Sequence, residues 1–389
     1  MSAPPDTAAP PAPTIPPAAT PNSLLGRHRI LAPTAAVHVS PICLGAMNFG
    51  NAWKEVLGEC SKETAFAMLD YFYEQGGNFI DTANAYQAQE SEIWIGEWMA
   101  KTGLRDDMVI ATKYSVVYKG LQDQRMRSNY GGNSAKSLHL SVEDSLKKLQ
   151  TSYIDLLYVH YWDMTTSIPE IMQSLNHLVA TRKVLYLGIS DTPAWVVVKC
   201  NAYAREHGLR QFSVYQGKWS AAERDLERDI IPMCMDEGMS LAPWGALGGG
   251  FFKPKELVHS DGGRKATTNR SKHAEQVAVV LEKIAKRKNT LITSVALAYV
   301  MHKCPYVFPL CGGRKVEHLK GNIEALGLKL DGADMEEIEG AYDFDIGFPH
   351  NLLSGGSNSA IGPEDNVINK RLGNFDYVKG PQPIAPHVE

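Results

Sequence analysis

The chain alternates short apolar runs with longer segments that carry apolar residues at helical spacing. Most of the short runs lack strict apolar–polar alternation, which is typical of strands covered on both faces of a sheet. We therefore predict a mainly parallel sheet with helices packed outside it. The predicted strands are residues 42–44, 78–81, 108–112, 154–160, 184–190, 212–216, 240–244 and 306–311.

Helices are predicted between these strands. Ser61 is a good N-cap, and Gly76 with Gly77 supplies a stop, so residues 61–75 should form a helix. The sequence at 141–144, SVED, resembles a capping box and predicts that another helix begins there. The remaining predicted helices are residues 91–99, 192–208 with Thr192-Pro193 as the cap, 224–237 and 315–326.

Eight strands alternating with helices favour a (β/α)8 barrel, the TIM-barrel architecture, over a doubly wound sheet. A GxGxxG turn after the first strand would indicate the doubly wound alternative, and the sequence has none there. Residues 29–39 predict a short hairpin that would plug one end of the barrel.

Three parts of the chain are predicted. Residues 1–23 are rich in Pro and Ala with little to bury, so we expect a disordered tail. Residues 24–342 should form the barrel, and 343–389 a C-terminal extension that packs on it. The loops at 114–139 and 245–269 are too long for simple connections, which is typical of lids or binding loops.

Composition excludes several classes of protein. A net charge of −4 argues against nucleic acid or an anionic membrane as partner, and no apolar run is long enough to span a bilayer. The six cysteines show neither CxxC pairs nor zinc-type spacing, so we expect reduced thiols and no metal site. The N-terminus resembles neither a signal peptide nor a mitochondrial presequence, which favours the cytoplasm.

Polar side chains follow three of the predicted strands at the point where each ends. Asp81, Lys113 and His160 come directly at these strand ends, and Tyr86 lies shortly after the first. If the strands are parallel neighbours, the four side chains meet at one edge of the sheet, which is where barrel enzymes place their chemistry.

Each of the four residues also has a structural interpretation. Asp81 could be a helix N-cap, Lys113 a surface lysine, His160 a satisfied core histidine and Tyr86 a loop aromatic. The joint pattern favours a site, because apolar strands rarely end in charged groups. A lysine ammonium near Tyr86 would lower the pKa of the phenol. Asp81 would hold that ammonium charged, and His160 would hydrogen-bond a carbonyl oxygen, which suits carbonyl reduction by an external hydride donor.

The chain resembles the aldo-keto reductases from about residue 31 to 330. Asp81, Tyr86, Lys113 and His160 match that family's tetrad, within the words FIDTANAY, SEIWIGEWM, SVEDSLKKLQTSYIDLLYVH and GGRKVEHLKGNIEAL. The segments WDMTTSIPE, YLGISDTPAW and YQGKWS are most similar to the fungal aryl-alcohol dehydrogenases and norsolorinic acid reductase-like proteins. This resemblance implies a role in secondary metabolism.

The resemblance also implies an NADPH/NADP+ cofactor, held without a Rossmann fold. It implies that Asp81 lies beside the cofactor and that Ser190, Asp191 and Gln216 hold the carboxamide. It also implies that Trp219 or Trp244 stacks on the nicotinamide ring. For both tryptophans the alternative is core packing. The pyrophosphate would follow Gly245, Leu247 and Gly249, and the adenosine end would meet Arg314, His318 and Asn322.

The chain departs from the family at two of these positions and at Gly321. Asp191 replaces a common asparagine, His318 stands where others have Arg or Gln, and Gly321 where many have Glu. The carboxamide contact and the strength of the NADPH preference therefore stay open, although Arg314 could still meet a 2′-phosphate.

The function predicted from these features is reversible reduction of aryl aldehydes or ketones, with a small aromatic carbonyl or alcohol as substrate. Trp53 and Trp162, together with His160, are the predicted substrate contacts. Two alternatives are a cofactor-loaded regulatory subunit with little turnover and an aldolase that uses Lys113 as a Schiff base. The oligomeric state and the physiological substrate leave no mark in the sequence.

Overall fold

The computed structural model describes residues 16–120, 126–252, 271–357 and 362–387. Within this part of the chain, eight parallel strands surrounded by helices form a (β/α)8 barrel. An antiparallel hairpin of β1 (Arg29–Ala32) and β2 (Ala35–Val39) precedes them. The barrel strands are β3 (Cys43–Gly45), β4 (Phe79–Asp81), β5 (Val109–Tyr114), β6 (Ile154–Val159), β7 (Val184–Ser190), β8 (Phe212–Gln216), β9 (Ser240–Leu241) and β10 (Leu310–Gly312).

The barrel closes between its last strands and its first. Cys43 of β3 pairs with Leu310 of β10 in parallel register. The seam between β9 and β10 is held by Leu241 N–H donating to the Tyr306 carbonyl at 2.9 Å and by the Leu241 carbonyl accepting from Phe308 N–H at 2.8 Å. The predicted barrel is therefore confirmed.

The strands predicted at 240–244 and 306–311 are shorter than expected. β9 ends at Leu241, close before Pro243, and β10 begins at Leu310, directly after Pro309. Proline carries no N–H for a ladder hydrogen bond, so the apolar runs continue beyond the regular pairing.

The helices in the described part of the chain cover the outside of the barrel and its ends. They are α1 (Lys54–Leu57), α2 (Lys62–Glu74), α3 (Glu90–Thr102), α4 (Ala135–Lys148), α5 (Ile168–Ala180), α6 (Ala194–Glu206), α7 (Ile230–Asp236), α8 (Ala274–Lys288), α9 (Ile292–Lys303), α10 (Val316–Glu324), α11 (Gly332–Glu339) and α12 (His350–Leu353). Ser61 caps α2 as predicted, accepting a hydrogen bond from Thr64 N–H.

The predicted capping box at 141–144 is wrong. α4 begins earlier, at Ala135, and Ser134 is its N-cap. Ser137, Ser141 and Ser145 lie buried on the inner face of this helix, so polar residues interrupt the apolar periodicity that would have marked it. Thr192 likewise does not cap α6, because its hydroxyl donates to the Ser190 carbonyl. The predicted helices do not include α1, α5, α8, α9, α11 or α12.

The N-terminal hairpin closes the lower end of the barrel, as predicted. Leu31, Ala35 and Val39 are fully buried in one cluster with Phe79 and Phe308 from the barrel interior. The tip of the hairpin is fixed by Thr34, whose hydroxyl donates to the Gly238 carbonyl at 2.9 Å. Any ligand that enters the barrel must therefore approach from the opposite end.

The C-terminal extension has two parts of different character. Phe344 is buried, with the guanidinium carbons of Arg224 and Arg228 at 4.5 and 4.8 Å from its ring centroid. Residues 371–380, in contrast, are all exposed. The predicted boundaries at 23 and 342 stay predictions. Residues 1–15 and most of the long loop at 245–269 lie outside the described residues.

None of the helices in the described residues is long and apolar enough to cross a membrane. All six cysteines are buried free thiols.

Candidate active site

The upper mouth of the barrel gathers the four residues that the sequence singled out. Asp81 is the last residue of β4, Lys113 lies near the end of β5, and His160 directly follows β6. These three strands are neighbours in parallel register, so their side chains converge. Tyr86 reaches the same place from the turn of 3-10 helix that follows β4.

A buried ion pair between Lys113 and Asp81 lies at the centre of this group. The two side chains are 0% and 2% exposed, and Lys113 Nζ donates to Asp81 Oδ1. Lys113 Nζ also donates to the Thr82 carbonyl at 2.8 Å. The second carboxylate oxygen accepts from Gln216 Nε2 at 2.9 Å. Lys113 Nζ and both carboxylate oxygens of Asp81 therefore have hydrogen-bond partners, as buried charges require.

The pKa values follow from this burial. Burial raises the pKa of Asp81, and Lys113 with the hydrogen bonds from Lys113 and Gln216 offsets that only partly. Burial alone would lower the pKa of Lys113, but the charge of Asp81 and the hydrogen bonds with Asp81 and Tyr86 raise it above its usual value. Lys113 is therefore an ammonium at neutral pH.

Tyr86 lies against this ammonium. Lys113 Nζ is 4.9 Å from the centroid of the Tyr86 ring. Burial raises the pKa of Tyr86, and although Lys113 lowers it, the balance stays above the usual value. The expectation that Lys113 brings the pKa of Tyr86 below its ordinary value is thus wrong for this structure, because desolvation outweighs the nearby charge. Tyr86 is a neutral phenol, able to donate a proton.

His160 completes the group as a neutral imidazole. Its ring is edge-on to Tyr86, with centroids 5.8 Å apart and planes at 80°. Burial, together with Lys113, lowers the pKa of His160 to about 3. Its backbone N–H donates to the Tyr114 carbonyl, and its Nδ1 has no hydrogen-bond partner among the described residues.

The two tryptophans predicted to contact substrate differ in position. Trp53 is edge-on to Tyr86, with ring centroids 6.4 Å apart and planes at 70°. Trp162 is partly buried against the main hydrophobic core. Only Trp53 is thus in aromatic contact with the tetrad among these two residues.

The residues predicted to hold the carboxamide lie at the ends of β7 and β8. Ser190 pairs with Gln216 in register, and the buried Ser190 hydroxyl interacts with the Asp191 carboxylate. Asp191 accepts a hydrogen bond from Trp244 Nε1 at 3.2 Å, and burial raises its pKa. Asp191 has a φ of 42°, a left-handed conformation that Asp tolerates better than most residues.

Trp219 and Trp244, which the sequence could not distinguish, are separated by the structure. Trp219 is fully buried, and its indole N–H donates to Glu227 at 3.2 Å. Its ring is enclosed by the core, so the proposed stacking role for Trp219 is wrong and the core-packing alternative holds. Trp244 is partly exposed beside Asp191, so it alone of the two presents a surface to the mouth.

The remaining predicted cofactor residues flank the mouth on one side. Gly245 and Gly249, with Leu247 between them, follow β9, and the two glycines have φ of 78° and 63°. Arg314 follows β10, and its guanidinium lies against Gly58. A Cβ added at Gly58 would be only 1.7 Å from Arg314 Nη1. Burial, with Lys315 and Arg314, lowers the pKa of His318, whereas Asn322 is a buried residue of α10.

Two further groups of side chains lie near the tetrad and were not predicted. Gln87 and Glu90, just after Tyr86, hydrogen-bond the loop that carries Trp53. Asn133 is fully buried beside His160, and its Nδ2 donates to Ser115 Oγ at 2.8 Å. Neither group belongs to a periodic pattern, so neither could be recognised from apolar spacing.

The chain is similar to one protein family and to several fungal enzymes. The model of the Aldo/keto reductase family matches residues 41–343, most of the chain. Norsolorinic acid reductase B of Dothistroma septosporum is 58% identical over 92% of this chain and 94% of its own length. An aryl-alcohol dehydrogenase of Pestalotiopsis microspora is 58% identical over 94% and 95%. Aryl-alcohol dehydrogenase [NADP(+)] of Phanerodontia chrysosporium is 49% identical over 94% and 97%.

The ion pair generates a stability prediction. Asp81→Asn should destabilise the fold by about 3–5 kcal/mol, because it leaves the Lys113 ammonium buried without a counter-charge. The double variant Asp81→Asn/Lys113→Met, which removes both charges, should recover much of that loss. Urea unfolding of parent, single and double variants measures both effects, and a single variant as stable as the parent would show that the pair is not held charged.

Proposed function

Because the chain belongs to the aldo/keto reductase family, we propose that it reduces aryl aldehydes or ketones reversibly, with NADPH as hydride donor and Tyr86 as proton donor. At the coarser level it is an oxidoreductase that acts on carbonyl or alcohol groups. The observation that carries the finer proposal is the position of Lys113, in contact with Asp81 on one side and Tyr86 on the other.

Proton transfer is the part of the reaction that this chain's residues perform. Tyr86 is a neutral phenol that gives its proton to the carbonyl oxygen as that oxygen gains negative charge. Lys113 stabilises the phenolate left behind, and Asp81 keeps Lys113 charged and oriented. His160 is neutral, so it orients the same oxygen through a hydrogen bond without competing for the proton.

The chain's polar groups fit a nicotinamide cofactor at the mouth. The Ser190 hydroxyl and the Gln216 amide lie side by side at strand ends, where they would hold the carboxamide. The glycine-rich turn after β9 leaves its backbone open to a pyrophosphate, and Arg314 would meet a 2′-phosphate. When bound, the cofactor supplies the hydride. The name of the Phanerodontia chrysosporium relative includes NADP(+), which supports this assignment.

The residues at the mouth of the barrel and the names of two relatives both favour an aromatic substrate. Trp53 stands against Tyr86, so a flat ring bound beside the reacting carbonyl would meet an aromatic face. The relatives named aryl-alcohol dehydrogenase point to the same class. The six buried free thiols support the prediction of a reducing, cytoplasmic location.

The two alternatives receive less support. An aldolase would need Lys113 as a neutral amine that substrate can reach, yet it is fully buried and its pKa is raised. A regulatory subunit with little turnover would bind NADPH but leave an aromatic aldehyde unreduced. Turnover of benzaldehyde-type substrates with NADPH would distinguish a reductase from such a regulatory subunit.

The proton donor can be tested directly. Tyr86→Phe should lower kcat by roughly 10²–10⁴-fold, because it removes the proton donor and little else. NADPH affinity should stay near that of the parent. Tyr73→Phe, which removes an exposed hydroxyl bonded to Asp107, is the matched control. Parental kcat in Tyr86→Phe would exclude this role.

The coupling of Lys113 to Tyr86 predicts a shift in pH dependence. Reduction requires protonated Tyr86, so its rate falls as pH rises through the pKa of the phenol. Lys113 lowers that pKa, so Lys113→Met should move the alkaline limb of residual reduction to higher pH. Alcohol oxidation, which needs the phenolate, should then also require a higher pH. Unchanged kcat profiles in both directions would rule out the coupling.

Discrimination between dinucleotides should depend on Arg314. A guanidinium can meet a 2′-phosphate with parallel charge-assisted bonds, each contributing about 1.5–3 kcal/mol. Arg314→Ala should therefore weaken NADPH binding at least about tenfold and leave NADH binding nearly unchanged. Some preference should survive, because the N-terminus of α10 also favours an anion.

Fluorescence quenching titrations with both dinucleotides measure this difference. Lys320→Ala, which removes an exposed cation from the same helix, is the control and should leave both affinities unchanged. If NADPH and NADH weaken equally in Arg314→Ala, then Arg314 does not read the phosphate.

A further inference from the structure

The loop at residues 46–53, which we term the Trp53 loop, is held by two side chains that follow Tyr86. Gln87 is fully buried, donates from Nε2 to the Met47 carbonyl at 3.0 Å and accepts from Trp53 N–H at 2.7 Å. Glu90 Oε2 accepts from the N–H groups of Asn51 and Ala52 at 2.6 and 3.0 Å. The three consecutive amides of residues 51–53 are thus all bonded by side chains of residues 87 and 90.

This clamp depends on an unusual backbone. Gln87, Ala88 and Gln89 have φ of 52°, 51° and 87°, so three successive residues other than glycine are left-handed. Glycine adopts such angles with least strain. Position 87 thus carries a side chain although its backbone conformation favours glycine. That side chain makes two hydrogen bonds to the Trp53 loop.

The loop also lies directly on the Gln87 side chain. A Cβ added at Gly50 would be 2.3 Å from Gln87 Cβ and 2.8 Å from Glu90 Oε2. Position 50 therefore has no room for a side chain, and glycine there lets the loop lie against these two side chains. The position of Trp53 relative to Tyr86 is consequently set by residues 87 and 90 rather than by the loop alone.

We propose that Gln87, assisted by Glu90, is a positioning residue that holds Trp53 edge-on to Tyr86 and thereby sets a preference for flat aromatic carbonyl substrates over small aliphatic ones. The proposal rests on the proposed carbonyl reduction. Gln87 acts only through Trp53, so it should affect recognition of an aromatic ring and not the transfer of the proton.

The kinetic test uses a variant of nearly equal shape. Gln87→Met keeps the volume of the side chain but removes its strong hydrogen bonds to the loop. KM for benzaldehyde should rise about three- to tenfold, the effect of losing one aromatic contact. Its kcat, and kcat/KM for propanal, should stay at parental values. Trp53→Ala should raise KM for benzaldehyde at least as much, and the double variant should be no worse than Trp53→Ala, because both changes remove one interaction.

The matched control is Ala88→Gly. Ala88 is exposed and shares the left-handed backbone but takes no part in the clamp. Relief of strain at this position should leave KM for benzaldehyde unchanged. If Ala88→Gly and Gln87→Met alter KM equally, the backbone and not the clamp governs recognition, and the proposal is overturned.

A measurement independent of turnover separates this proposal from the reaction itself. Hydrogen exchange at the amides of residues 51–53 should accelerate in Gln87→Met and not in Ala88→Gly. Binding of benzamide to the NADP+-loaded protein, measured by calorimetry, should weaken in Gln87→Met by the same factor as KM. If the parent reduces no carbonyl but these two results hold, the proposed reaction fails while the positioning role stands. If exchange accelerates and benzamide binds equally well, the positioning role fails.

Discussion

The ion pair of Lys113 and Asp81 is the interaction on which the mouth of this barrel depends. Moving two charges out of water is unfavourable by several kcal/mol for each ion, and close contact repays that only if the remaining polar atoms are bonded. Here the Thr82 carbonyl and the Gln216 amide supply those bonds. The ends of β4, β5 and β8 must therefore keep their relative positions for the pair to remain charged.

One ammonium then lowers the pKa of both its neighbours, with different consequences for the charge that each carries. Lys113 favours the phenolate form of Tyr86 and disfavours the imidazolium form of His160, since the first gains a negative charge and the second a positive one. The difference assigns the roles: Tyr86 is the group that exchanges a proton, and His160 remains neutral. Burial strengthens this separation, because an effective dielectric lower than that of water enlarges every pairwise term.

Much of this architecture could be predicted from the sequence, because barrel strands are apolar and end in polar residues. Strands β7 and β8 have the predicted bounds, and Asp81, Lys113 and His160 follow from strand ends, with Tyr86 shortly after the first. The start of α4 could not be predicted, since buried serines face the barrel and hide its periodicity. Trp219 and Trp244 could not be told apart, because core and mouth both accept an indole. Gln87 was missed because nothing in a sequence marks a left-handed glutamine.

The closure of the barrel has a consequence for how the protein is made. β3, the first barrel strand, pairs with β10, whose residues lie more than 260 positions later in the chain. Contacts of such long separation form late, and a chain emerging from the ribosome meets its N-terminal elements first. Throughout most of translation the nascent sheet therefore has an open edge at β3, and water can still reach Lys113. The low-dielectric surroundings that the chemistry needs are created only when the final third of the polypeptide has been synthesised.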